Sequence, residues 1–238
     1  MKAWRRIHIL NIQTWKHVFK LDPDKLIGDE ELEMVCESGT DAIIVGGTTN
    51  VTFDNTIDLL SRIRRYAVPC ALEVSNVEAI VPGFDAYFVP LVLNAQNPEW
   101  IFNAYIEGLK EHGPFIKWDE VFVEGYIVCN PDSAVARLTE SRTNIAQEEM
   151  KAYARLADQM LKLPIFYIEY SGIYGDVEQV RAAQKVVQNS RIFYGGGIRS
   201  AEQAAEMAQW ADTIIVGNII YENLEQALLT VQAVKKQK

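Results

Sequence analysis

The sequence predicts an α/β fold of a particular kind, a (β/α)8 TIM barrel, modified by the loss of its third helix. Three observations carry this. Eight short runs rich in Val, Ile, Phe and Tyr alternate with longer stretches of helical period along the chain. The chain has 238 residues, the length at which eight such units close a barrel. Only NVEAIVPGFD separates the third run from the fourth, too few residues for a crossover helix. A doubly wound open sheet is the competing arrangement.

The strand-like runs are HVFKLD (17–22), AIIVGG (42–47), CALEVS (70–75), AYFVPLVL (86–93), VFVEGYIV (121–128), IFYIEYSG (165–172), RIFYGGG (191–197) and TIIVGN (213–218). Helices are expected between most of them. DEELEMVCESG (29–39) ends in Gly39, suited to a C-terminal cap. DNTIDLLSRIRRY (54–66) opens on Asp54 as N-cap, and NPEWIFNAYIEGLKEHG (97–113) opens on Asn97 with proline next. QEEMKAYARLADQML, DVEQVRAAQKVVQ, SAEQAAEMAQWA and NLEQALLTVQAVKK follow later strands, and Ser200 with Gln203 has the spacing of a capping box. Residues 129–146, CNPDSAVARLTESRTNIA, are long and polar and read as an active-site loop. Without a repeat or linker, 1–238 reads as a single domain, with 1–14 as an N-terminal extension.

Composition excludes several function classes. Lys plus Arg is 23 against 32 Asp plus Glu, a net charge of −9, which argues against a nucleic-acid binder but leaves room for one basic anion pocket. Cys36, Cys70 and Cys129 are far apart and odd in number, so neither a zinc site nor a disulfide framework is expected, and a reducing, cytoplasmic setting fits. MKAWRRIHIL lacks the apolar length and cleavage site of a signal peptide, and no apolar run is long enough for a transmembrane segment.

The chemistry lies at the strand ends. In IFYIEYSG, alternation puts Phe166, Ile168 and Tyr170 towards the helices and Tyr167, Glu169 and Ser171 towards the barrel mouth, where active sites of this fold sit. Glu169 is thus a candidate base or a core carboxylate paired with an inward lysine. In HVFKLD, Lys20 and Asp22 share the inward face: Lys20 to neutralise a phosphate or diphosphate, Asp22 to hold Mg²⁺, or the two as a structural pair. YGGGIRS and VGN end the last two strands, and Gly195 to Gly197 let backbone N–H groups approach an anion. Thr48 in VGGTTN either helps hold a metal or diphosphate oxygen or belongs to an ordinary turn. Glu73 reads as core or supporting residue. In the helix after strand four, Ile101, Tyr105 and Gly108 share a stripe, and Gly108 leaves room either for a long apolar ligand or for close helix packing. His8, His17 and His112 are scattered, and Ser171 lacks a nucleophile-elbow pattern, so a hydrolase or metal triad is not expected.

HVFKLDP, ESGTDAIIVGGT, LEVSNVEAIVPGFDAYFVPLVLN, FYIEYSG, FYGGGI and IIVGNIIYE, in this order, resemble the PcrB family of bacterial heptaprenylglyceryl phosphate synthases, relatives of archaeal geranylgeranylglyceryl phosphate synthases. The resemblance implies a homodimeric modified barrel whose third helix is a loop. It implies Mg²⁺-dependent transfer of a prenyl group from a polyprenyl diphosphate to the 3-hydroxyl of sn-glycerol 1-phosphate, with peripheral contact with the membrane that stores the substrate. Carried onto this sequence, it makes Lys20, the run Tyr167, Ile168, Glu169, Tyr170, Ser171 and Gly172, and Gly197, Gly217 and Asn218 glycerol-phosphate contacts. It makes Asp22 and Thr48 the Mg²⁺ positions, and Gly108 a determinant of chain length beside Ile101 and Tyr105. The readings kept open beside it are an isomerase or aldolase on the same phosphate-binding barrel, with Lys20 as a Schiff base in the aldolase case, a geranylgeranyl-specific synthase, and a non-enzymatic phosphate-binding scaffold.

Overall fold

The computed structural model describes residues 11–237. Eight parallel strands, β1 (His17–Leu21), β2 (Ala42–Val45), β3 (Cys70–Glu73), β4 (Ala86–Val92), β5 (Val121–Val128), β6 (Ile165–Glu169), β7 (Arg191–Gly195) and β8 (Thr213–Val216), close into a barrel in sequence order. The closure is the pairing of β8 with β1, Ile215 opposite Val18. Around it lie α1 (Asp29–Glu37), α2 (Phe53–Ile63), α3 (Asn103–His112), α4 (Ala134–Thr139), α5 (Gln147–Arg155), α6 (Val177–Gln184), α7 (Ala201–Met207), α8 (Ile219–Glu222) and α9 (Leu224–Lys235). Among the described residues no helix is long and apolar enough to cross a membrane.

Side-chain alternation builds two apolar layers. Phe19, Leu21, Phe166, Ile168, Ile192 and Tyr194 point outward and are covered by helix residues such as Leu32, Met150, Val180 and Val231. Val18, Tyr126, Tyr167, Phe193 and Ile215 point inward. Each fully buried Leu, Ile or Phe contributes about 1.5–3 kcal/mol. The barrel floor is aromatic: Phe88 meets Trp15, Phe122 and Phe193 edge-on at 5.8, 5.8 and 6.1 Å between ring centres. Of the extension expected over 1–14, residues 1–10 lie outside the described residues, and Ile12, in the turn Ile12–Thr14, is buried in the inner layer with Trp15.

The missing third helix is as expected: residues 74–85 are turns, held by Asn76 Oδ1 accepting from Ala79 N at 2.7 Å. Other boundaries differ from the sequence reading. The cap of α2 is Thr52, not Asp54, because Thr52 and Asn55 bond each other's backbone N–H at 3.3 and 2.9 Å. Asn97 caps only a 3-10 turn, Pro98–Trp100, and the α-helix starts at Asn103. The segment 129–146 is not wholly loop: Ser133 Oγ accepts from Ala136 N at 3.1 Å and starts α4. Ser200 caps α7 as expected, yet Gln203 reaches back to Arg199 N, one residue earlier than a capping box requires.

Candidate active site

The C-terminal ends of β1, β2, β6, β7 and β8 surround a cavity of about 240 Å³. Lys20 and Asp22 enter it from β1, Gly47 and Thr48 from β2, and Tyr167, Glu169, Ser171 and Gly172 from β6. Gly195, Gly196 and Gly197 from β7 and Gly217 and Asn218 from β8 complete the wall.

Glu169 is buried at 4% exposure. Ser171 Oγ donates to its Oε1 at 2.7 Å and Tyr126 OH to its Oε2 at 3.0 Å. The Tyr126 ring stacks on Tyr167 at 4.6 Å, which fixes the donor. Burial raises the Glu169 carboxyl above the ordinary glutamate range, and the opposing pull of Lys20 and Ser171 only partly offsets it. The result is a positioned carboxylate of increased basicity.

Lys20 Nζ donates to Glu73 Oε1 at 2.5 Å. Burial alone would lower the Lys20 pKa, but Glu73 and Glu169 outweigh it and the pKa rises. Lys20 is therefore an ammonium at neutral pH, the form that meets a phosphate and the opposite of the depressed pKa a Schiff-base lysine needs. Glu73, at 6% exposure, is the support that orients it.

At the end of β7 the anion seat is glycine because nothing larger fits. Gly197 has φ +45°, and a Cβ there would overlap the backbone of Ile173 and Tyr174. A Cβ on Gly195 would overlap the Tyr167 hydroxyl and stand 3.0 Å from Glu169 Oε2. Across the mouth, Lys25 Nζ donates to Asn218 Oδ1 at 2.8 Å and lies 5.0 Å from the centre of the Tyr221 ring. The hydroxyl of Tyr221 accepts from Asp22 N at 3.0 Å, which ties the end of β1 to that of β8.

The Asp22 carboxylate lines the cavity and packs against Gly47, where a Cβ would come within 2.5 Å of Oδ1, and its Oδ1 accepts from Asp24 N at 3.0 Å. Thr48 lines the same cavity. Among the described residues no cluster of three or more His, Cys, Asp or Glu side chains could hold a metal. One carboxylate beside an anion seat fits Mg²⁺, which takes few protein ligands and completes its shell with phosphate oxygens and water.

Not every residue named from sequence faces this cavity. The side chains of Ile168 and Tyr170 sit in the outer layer, because alternation turns them to the helices, and neither residue lines the cavity. Ile101, Tyr105 and Gly108 are outside the cavity wall. Tyr105 OH bonds to Pro90 O. A Cβ on Gly108 would stand 3.5 Å from Val77 Cγ2, so Gly108 faces the loop that replaces the third helix. Ala134, in the 129–146 segment expected to be an active-site loop, does line the cavity. Sequence reading named neither Tyr126, Tyr221 nor Arg199. Tyr126 was within reach, since alternation through VFVEGYIV puts Phe122, Glu124, Tyr126 and Val128 on one face, and Arg199 stands two residues after Gly197; Tyr221 meets the site through barrel closure, which no spacing reveals.

The PcrB family model matches residues 10–235. The chain belongs to the PcrB family. Heptaprenylglyceryl phosphate synthases from Bacillus cereus (strain B4264) and Anoxybacillus flavithermus (strain DSM 21510 / WK1) are each 58% identical to it, over 94% of this chain and 98% and 97% of theirs. The fold also matches (S)-3-O-geranylgeranylglyceryl phosphate synthase from Thermoplasma acidophilum, solved with sn-glycerol-1-phosphate. There the TM-score is 0.84 at 24% identity, covering 96% of this chain and 97% of that one. A thiamine phosphate pyrophosphorylase from Pyrococcus furiosus matches more loosely, TM-score 0.58 at 14% identity, over 95% of this chain and 99% of that one. The PcrB barrel is thus one variant of a wider architecture.

Proposed function

We propose that this chain transfers a heptaprenyl group from its diphosphate to the 3-hydroxyl of sn-glycerol 1-phosphate, releasing diphosphate and leaving a prenyl ether. It is a prenyltransferase, as its family membership and 58% identity to heptaprenylglyceryl phosphate synthases state. The observation that carries the mechanism is the convergence of a buried carboxylate, a paired ammonium and glycine-lined strand ends in one cavity.

The glycines of β7 and β8 receive the phosphate of glycerol phosphate on backbone N–H groups, with Lys20 supplying positive charge. Glu169 accepts a hydrogen bond from the 3-hydroxyl and takes its proton. The freed oxygen forms the new bond to the allylic carbon, while the carbon–diphosphate bond breaks and its electron pair leaves with the diphosphate. Ser171 and Tyr126 hold Glu169 in the rotamer that faces the hydroxyl. Asp22, with Thr48 beside it, would hold Mg²⁺, which neutralises a departing diphosphate. The prenyl tail runs past Ile101, Tyr105 and Gly108, and the enzyme works as a cytoplasmic homodimer that takes its lipid substrate from a membrane surface.

The test incubates the protein with Mg²⁺, sn-glycerol 1-phosphate and prenyl diphosphates of graded length and weighs the products. The heptaprenyl ether is expected to dominate. A dominant geranylgeranyl ether would overturn the chain length, and the absence of any ether would overturn the reaction.

A further inference from the structure

Beneath the active site, the barrel interior holds a carboxylate that the mechanism leaves unused. Glu124, on β5, is completely buried, and neither of its oxygens has a hydrogen-bond partner. It lies on the inward face between Phe122 and Tyr126. Glu73 Oε2, buried above the same aromatic floor, is also without a partner.

The donor and acceptor inventory of these groups is selective. Glu73 Oε1 is already taken by Lys20, so its Oε2 needs a donor. The Tyr167 hydroxyl is turned to Glu169 instead. An ionised Glu124 offers acceptors only and leaves Glu73 Oε2 stranded. A neutral Glu124 offers the donor that Glu73 Oε2 lacks, directly or through an enclosed water. Charge points the same way. Lys20 is the cation that acts on Glu124, and it is already engaged by Glu73, while Glu73 and Glu169 repel a negative Glu124. Burial is the larger force in the same direction and raises the Glu124 carboxyl well above its ordinary range.

We propose that Glu124 is a positioning residue that works as a neutral carboxylic acid, donating towards Glu73 Oε2, and so fixes Lys20 under the reacting carboxylate. It touches no substrate. Its effect passes through Glu73 to the ammonium that meets the phosphate. This rests on the reaction proposed above, but the protonation state is testable without turnover.

The groups facing Glu124 are Lys20 from β1, Glu73 from β3, Tyr105 from α3, Tyr126 on its own strand, and Tyr167 and Glu169 from β6. All remain in Glu124→Gln, so the difference between that variant and wild type isolates Glu124. Infrared difference spectra at pH 7 are expected to show a protonated-carboxyl carbonyl band that wild type has and Glu124→Gln lacks. Glu124→Ala should lower kcat about tenfold or more, and Glu124→Gln, the uncharged isostere, should recover most of the loss. In wild type, kcat falls on the alkaline side as Glu124 ionises, and Glu124→Gln should lose that limb. No difference band, or a Glu124→Gln variant as impaired as Glu124→Ala, would overturn the proposal. If Glu124→Ala fails to fold, the infrared band and the pH profile of Glu124→Gln still decide it. A missing band with the ether still produced would sink this inference alone; a missing ether with the band present would sink the reaction alone.

Discussion

The two ends of the barrel treat their carboxylates oppositely. At the N-terminal end the chain supplies the partners. Asp41, Asp85 and Asp212 each stand one residue before a strand and accept backbone N–H groups from the strand paired before it. Asp41 takes Lys16 N and His17 N at 2.8 and 3.0 Å, Asp85 takes Cys70 N at 2.8 Å, and Asp212 takes Ile192 N at 3.0 Å. Asp158, just after α5, accepts from Gln188, Asn189 and Ser190 N at 3.1, 2.8 and 2.8 Å. Higher up, Glu73 Oε2 at the C-terminal end of β3 and both oxygens of Glu124, in the middle of β5, have no hydrogen-bond partner. Carboxylates satisfied by backbone hold the strands in register. Those left unsatisfied lie beneath the proposed site. On the proposed reading one end serves stability and the other binding.

Asp158→Ala should break this division most visibly. It strands three backbone donors, so a loss of about 2–4 kcal/mol in unfolding free energy is expected, with kcat per folded molecule unchanged. Denaturant unfolding with a parallel assay checks both. The pH dependence has a definite sign. Burial works to raise the Asp158 pKa, but the three N–H bonds outweigh it and hold it low. Its contribution is therefore present above the unfolded carboxyl pKa and lost as pH falls through the folded one. Wild type should lose stability on that acid side more steeply than Asp158→Ala.

Gly197→Ala should act at the other end. The φ of +45° costs a side chain about 1–2 kcal/mol even before the overlap with Ile173. Apparent affinity for sn-glycerol 1-phosphate should fall about tenfold or more, and calorimetry without the prenyl substrate measures it. An unchanged affinity would remove Gly197 from the anion seat. The smallest effect is expected from Gly108→Trp. It should leave turnover of short prenyl diphosphates nearly intact and shift the product towards shorter chains. An unchanged product distribution would assign Gly108 to packing against Val77 instead.

The barrel was legible because alternation is local: all eight strands, and the inward faces holding Lys20, Asp22 and Glu169, follow from neighbouring residues. The glycine turns were legible for the same reason. Helix starts were less so, since Thr52 outcompetes Asp54 through a reciprocal bond with Asn55 that composition does not reveal. The partners of the site residues were the least legible. Glu73 finds Lys20 across 53 positions, Tyr126 finds Glu169 across 43, and Tyr221 finds Asp22 across 199. Those meetings are set by strand register and barrel closure.

The account turns on Glu169 as the base held ready at the mouth, and Glu169→Gln tests it most directly if kcat, sn-glycerol 1-phosphate affinity and thermal stability are measured on one preparation. A fall in kcat of about 10²–10⁴-fold is predicted, with affinity changed far less and stability unchanged or raised, because removing a buried ionisable group with a raised pKa relieves a cost. Near-normal kcat in that variant would contradict the account.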